Sequence, residues 1–155
     1  MAKRKVTDLD YMRAALEEAQ AAYAAGEFPV GAVIARGDAI VGRGRNTASA
    51  QHDPTAHAEI IAIREACRVL QRTKLEDCTL FTTLYPCPMC EMTIKEVRLP
   101  RVVYGGRPYR WVREVKFGRA VFAPLGPLLD EECRGLFTRK LQELGREDIL
   151  GYEAT

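Results

Sequence analysis

His57-Ala58-Glu59 and Pro86-Cys87-Pro88-Met89-Cys90 constrain this chain more than any other part of it, because three metal-binding side chains separated by 30 positions must be folded onto one point. His57, Cys87 and Cys90 make three zinc ligands, and Glu59 is a carboxylate left over. A structural zinc is closed by four protein ligands, whereas a reactive one keeps its fourth position open for water. The second histidine, His52, stands five residues before His57 and can complete a closed site on residue count alone. A zinc staple has no use for an acid two residues after its histidine, so the pattern favours the open site. Two unrelated buried cysteines and a solvent-facing histidine are the ordinary alternative. The order H-x-E then P-C-x-x-C argues against it.

Bound zinc lowers the pKa of a coordinated water towards neutrality. Glu59 is placed to take that proton, deliver it to a ring nitrogen and protonate a departing amine.

The chain around the motif has 155 residues, 47% of them apolar, which suffices for one core and one domain spanning 1–155. With 23 basic and 21 acidic side chains the formal charge is only +2, too weak a field to hold a polyanion by itself. A locally basic stretch follows the cysteines: Arg98, Arg101, Arg107, Arg110, Arg113, Lys116 and Arg119. It reads equally as a solvated loop and as a nucleic-acid surface. Beyond the two motif cysteines, Cys67, Cys78 and Cys133 read as buried small hydrophobes in a reducing compartment. The basic start Met1-Ala2-Lys3-Arg4-Lys5 leads into Val6-Thr7-Asp8, not into the apolar run of a signal peptide, and no apolar segment reaches membrane length. A cytoplasmic protein with no membrane association is the expectation.

Apolar residues recur at helical spacing from Leu9 to Tyr23, with Thr7 or Asp8 as cap and Gly26 as stop. Phe28 to Ala35 and Ala39 to Arg45 read as strands joined by a tight turn at Arg36-Gly37-Asp38, and Asn46 ends the second. Asp53-Pro54 signals the start of a helix running to Leu70, which puts His57 and Glu59 in its opening turns. Residues two apart do not share a helical face, so this helix should meet the metal end-on. Thr79 to Leu84 is a strand, and Cys87 to Val97 a helix with its two cysteines one turn apart. Short strands at Val102 to Tyr104 and Ala120 to Phe122, then a helix from Asp130 to Leu144, complete one mixed sheet covered by helices on both faces.

With those elements in place the chain resembles the cytidine and deoxycytidylate deaminase superfamily from about Tyr11 to at least Leu144. The resemblance implies a three-layer α/β/α sandwich with a five-stranded mixed sheet, one zinc on His57, Cys87 and Cys90, and Glu59 as proton shuttle. It also implies that Asn46 holds the base and that Ala58 offers backbone contacts. Phe28-Pro29-Val30-Gly31-Ala32-Val33 and Asp53-Pro54-Thr55-Ala56-His57-Ala58-Glu59 look like the bacterial tRNA adenosine deaminases and the guanine deaminases. Those enzymes usually carry Glu before the Pro-Cys pair, where this chain has Tyr85. Thr82-Thr83-Leu84 and the short stretch from Pro100 to Cys133, which lacks the Lys-Thr-Gly and Gly-Ser-rich loop of the tRNA enzymes, look more like the fungal-type cytosine deaminases.

A free base, cytosine first, is therefore the expected substrate, with RNA adenosine and guanine as alternatives and a catalytically silent subunit as a third reading. Nucleic acid is a partner this reading allows without favouring. The resemblance further places Tyr109 and Trp111 against the base and Tyr152 with Glu153, or Asp148, as a C-terminal lid, and it implies a homodimer.

Overall fold

A computed structural model describes residues 4–107 and 124–146. Helix α1 spans Asp8–Ala24 and opens with a capping box in which Thr7 and Asp10 satisfy each other's backbone N–H groups. Strands β1 (Gly31–Arg36) and β2 (Ala39–Arg45) form a hairpin around Gly37, whose φ of 58° is one that a glycine adopts without strain. A four-residue helix, α2 (Ala48–Gln51), precedes α3 (Ala58–Leu70). The rest is β3 (Thr79–Leu84), α4 (Pro88–Glu96), β4 (Arg101–Gly106) and α5 (Asp130–Glu143).

The strands lie in the order β2-β1-β3-β4, with β1 antiparallel to both neighbours and β4 parallel to β3. Helix α4 is the crossover that a parallel pair requires. The mixed sheet and its two covering layers agree with the expected α/β/α class. Four strands are described where five were expected. The fifth, at Ala120 to Phe122, lies outside the described residues, although Leu125 continues the sheet beyond β4 through a parallel bridge to Val103.

Side-chain alternation divides the core. Ala32, Ile34, Leu80 and Val102 pack under α3 and α4, while Val33, Ala35, Phe81 and Val103 pack under α1 and α5. Helix α3 lies very close to β2: a Cβ on Gly44 would stand 2.1 Å from the Ala58 carbonyl oxygen, and one on Gly42 would stand 2.3 Å from that of Ala62. Those two glycines therefore set the position of the helix that begins at the metal motif. No helix among the described residues is long and apolar enough to cross a membrane.

Two helices differ from expectation. Helix α3 begins at Ala58 with His57 as its N-cap, not at Asp53. Asp53 spends its carboxylate locally, with Oδ1 accepting from the Thr55 N–H at 2.8 Å and from the Thr55 hydroxyl at 2.7 Å, so the Asp-Pro signal makes a turn. Helix α2 was not anticipated: four residues give no periodicity to read.

Candidate metal and substrate site

Two helix N-termini converge at the carboxyl end of β3. His57 is the N-cap of α3 and Cys87 the N-cap of α4, both with extended backbone, and Cys90 follows within the first turn of α4. Neither cap residue spends its side chain on its own helix. Both face the same point instead: His57 Nδ1 lies 3.6 Å from the Sγ atoms of Cys87 and Cys90. Tetrahedral zinc with ordinary Zn–N and Zn–S bonds would hold such atoms about 3.6 Å apart. The residues present therefore fit the ion. Among the described residues the cluster is these three alone. His52 ends α2 in a left-handed conformation and is not part of it, which disfavours the closed four-ligand alternative.

Electrostatics prepare this site for a cation. The Cys90 thiol's hydrogen bond, followed by His57, holds Cys87 down at about 4 against its burial. The same contact, with burial and Glu59, pushes Cys90 up. Cys87 in turn raises His57 against the effect of burial. Two helix dipoles pointing at the cysteines favour their thiolate forms, in the sense of the Cys87 shift and against that of Cys90.

Glu59, in the first turn of α3, is 4% exposed. Its Oε1 accepts from the buried Thr82 hydroxyl at 3.1 Å, and its Oε2 lies 3.6 Å from Cys90 Sγ. One oxygen is tethered to the sheet and the other faces the metal triad. Burial is the main reason its carboxyl is raised. Glu59 and His57 reach the site from one helix end, the end-on approach expected from their spacing.

Asn46 directly follows β2 and is half-buried, and its Oδ1 accepts the Ala48 N–H at 2.9 Å. Ala58 is the first residue of α3, so its N–H has no acceptor within the helix. Tyr85 is anchored by its N–H to the Gly106 carbonyl at 3.2 Å, and its ring meets that of Tyr104 edge-on at 5.2 Å. Its hydroxyl engages Glu91 in the first turn of α4, and burial raises that carboxyl while the Tyr85 bond lowers it. The Glu91 carboxyl of α4 therefore meets Tyr85 and is raised further by the charge of Cys87.

Tyr109, Trp111, Asp148, Tyr152 and Glu153 lie outside the described residues. Of the basic stretch, Arg98 pairs with Glu76, Arg101 with Asp8, and Arg107 donates to Asp130 from both its backbone N–H and its Nε. These three are spent on structure, and the remaining four lie outside the described residues.

Sequence reasoning missed Thr82, Glu91 and Glu27. Thr82 carried one readable signal, a polar residue facing inward on a strand covered on both sides. Glu91 and Glu27 carried none.

Comparison with known proteins agrees with this geometry. Residues 5–106 match the cytidine and deoxycytidylate deaminase zinc-binding region. The chain is 34% identical over 146 residues to a tRNA-specific adenosine deaminase of Bacillus subtilis, covering 88% of this chain and 90% of that protein. A structure from studies of A-to-I editing by tRNA:A34 deaminases at the wobble position of transfer RNA superposes with a TM-score of 0.72 at 29% identity, covering 83% of this chain and 99% of the other. Guanine deaminase from Bacillus subtilis gives a TM-score of 0.65 at 38% identity, covering 72% and 71%.

Proposed function

We propose a substrate for a chain whose family is settled: it belongs to the cytidine and deoxycytidylate deaminases, through their zinc-binding region. Its reaction is hydrolytic release of an amine from a ring carbon. Within that class, we propose that it deaminates adenosine in RNA, specifically transfer RNA, to inosine. The observation that carries this reading is the similarity to a tRNA-specific adenosine deaminase along 90% of that protein's length. Free cytosine, the expectation from the short stretch 100–133, gives way to it. Loop length in one segment is a weak guide beside similarity along the whole domain, because loops vary most within a family.

His57 Nδ1, Cys87 Sγ and Cys90 Sγ would hold the zinc, which would supply a water made nucleophilic near neutral pH. Glu59 works from Oε2, the oxygen nearer the triad: it takes one proton of the attacking water and passes it to a ring nitrogen, then takes the second from the hydroxyl left on the ring carbon and delivers it to the amine, which leaves as ammonia. Thr82 holds Oε1 meanwhile. Asn46 offers its Nδ2 hydrogens to the substrate, since its Oδ1 is already occupied, and the Ala58 N–H, which has no acceptor within its helix, is a second proposed backbone contact. Tyr109, Trp111, Tyr152 and Glu153 are further proposed contacts. A homodimer is part of the same proposal, and a single monomeric species in sedimentation would remove it.

Zinc-loaded protein should convert the wobble adenosine of a tRNA anticodon stem-loop to inosine while releasing no ammonia from cytosine, guanine or adenine. Ammonia from cytosine with unreacted RNA would restore the free-base reading. Guanine is the second reading, favoured by the 38% identity to guanine deaminase, and ammonia from guanine alone would establish it.

A further inference from the structure

We infer that Glu27, a buried acid that takes no part in the chemistry above, is a positioning residue that keeps Asn46 free to hold the substrate. Glu27 lies between α1 and β1 and is 4% exposed. Each of its carboxylate oxygens accepts one backbone N–H from the start of α2: Oε2 from Ser49 at 3.1 Å and Oε1 from Ala50 at 2.7 Å.

A four-residue helix is nearly all terminus, and its opening N–H groups have no acceptor inside the helix. The N-cap side chain ordinarily supplies one. Here the N-cap is Thr47, which makes no capping bond, and its Oγ1 is buried without a partner among the described residues. Capping is divided between two other side chains: Asn46 Oδ1 takes the Ala48 N–H, and Glu27 takes the next two.

This division fixes what Asn46 can present. An amide has one acceptor oxygen and one donor NH2. With Oδ1 committed to Ala48, Asn46 meets a substrate as a donor, so it selects an acceptor atom on the base or its sugar. Without Glu27, the Ser49 and Ala50 N–H groups lose their acceptor, and Asn46 Oδ1 and Thr47 Oγ1 are the side-chain acceptors at that end of α2. The Asn46 amide is then drawn into competing bonds.

Metal binding does not depend on this clamp. Asn46 N–H donates to the Val30 carbonyl and Thr47 N–H to the Ala56 carbonyl, both at 3.1 Å, and these bonds close the loop on the His57 side without Glu27. A carboxylate suits the position better than an amide: two N–H donors need two acceptor oxygens, and glutamine would turn its own NH2 towards one of them.

The substrate arm of this inference rests on the role proposed for Asn46, so the test pairs it with a measurement that needs no substrate. Glu27→Gln and Glu27→Ala are prepared in the full chain loaded with zinc, alone and combined with Asn46→Ala. Zinc content should match the parent. KM for the anticodon stem-loop should rise roughly tenfold or more with kcat nearly unchanged. Amide exchange at Ser49 and Ala50 should accelerate. In the Asn46→Ala background the added KM effect of Glu27→Gln should largely vanish, because both substitutions act through one contact.

Unchanged KM with unchanged exchange overturns the inference. So does loss of zinc together with kcat, which would make Glu27 a support of the metal platform. If Glu27→Ala fails to fold, the near-isosteric Glu27→Gln carries the test. If the parent converts no RNA adenosine, the substrate reading fails by itself; KM is then measured on whichever base releases ammonia, and unaccelerated exchange at Ser49 and Ala50 still overturns the clamp.

Discussion

On the face of the sheet that receives α3, β2 is pared down to Gly42 and Gly44, and the helix above it presents Ala58, Ala62 and Ala66. On the face that receives α1 and α5, the strands carry Val33, Phe81 and Val103, and the helices present Tyr11, Met12 and Cys133. Two adjacent buried threonines on β3 make the same contrast at atomic scale. Thr82, facing α3 and α4, shares its hydroxyl proton between Glu59 and the Leu84 carbonyl, both at 3.1 Å, whereas Thr83 accepts the Gly31 N–H at 3.1 Å. The same residue type, equally buried and one position apart, serves the reaction on one face and the architecture on the other. Close packing of α3 therefore delivers His57 and Glu59 to the site, whereas the equally close approach of α1 at Gly31 serves the core alone.

If that division holds, the largest effect should come from Glu59→Gln. It removes the proton shuttle without changing shape, so turnover should fall roughly 10²- to 10⁴-fold. Zinc content should stay at the parent level and Tm nearly so. His57→Ala should instead lose the metal, because two thiolates do not complete the platform. Unchanged turnover in Glu59→Gln would remove Glu59 from the mechanism.

A glycine pair tests the two faces directly. A Cβ on Gly31 would stand 2.0 Å from the Ala15 carbonyl oxygen in α1, the same degree of clash that Gly44 faces against α3. Gly31→Ala and Gly44→Ala should each cost about 3 kcal/mol in denaturant unfolding. Only Gly44→Ala should also weaken zinc affinity, since it displaces the helix that starts at His57. Equal zinc loss in both variants would break the comparison.

The threonines sharpen it further. Thr82→Val should lower kcat roughly 10- to 100-fold, the scale of one hydrogen bond to a charged group, with KM and zinc content little changed. Thr82→Ser should restore most of the loss. Thr83→Val should leave kcat alone and cost about 1–3 kcal/mol of stability, because the buried Gly31 N–H is left without its acceptor. A kcat loss in Thr83→Val as large as that in Thr82→Val would mean that both hydroxyls serve the site.

The same contrast explains what could be read from the sequence. The metal half of the site was legible because ligand chemistry fixes residue type and spacing together: His57, Cys87 and Cys90 meet as the motif requires, and β3 falls where its apolar run stands. The substrate half was not. Asp53-Pro54 has the chemistry of a helix start, but Thr55 captures its carboxylate, so the helix begins five residues later at Ala58. Glu27 reads as an ordinary surface acid between a helix and a strand, since nothing local shows that α2 will lay two N–H groups against it. Glu91 likewise meets Tyr85 only after β3 and α4 are folded together. Contacts made by short or irregular segments depend on tertiary approach, which one-dimensional patterns do not encode.

The smallest effect should lie at the opposite end of the sheet from the metal. Asp77 precedes β3 and pairs with Arg36, the last residue of β1, at 2.7 Å, and also with Arg72. Desolvation alone would raise its carboxyl, but the bonds to Arg72 and Arg36 outweigh it and bring Asp77 down to about 2. A carboxylate depressed by folding contributes stability that is fully present above its unfolded value of about 3.9 and is lost as pH falls through the folded value. Wild type should therefore exceed Asp77→Asn in unfolding free energy at neutral pH by the modest amount typical of exposed ion pairs, and the difference should close as pH falls through about 2. Acid also strips metal from thiolate sites, so the comparison belongs in metal-free protein, where the variant pair isolates Asp77. Because this clamp joins β1 to β3 far from Glu59, turnover of the zinc-loaded variant should match the parent at neutral pH. A kcat change in Asp77→Asn would mean that the architectural end of the sheet is coupled to the reactive one.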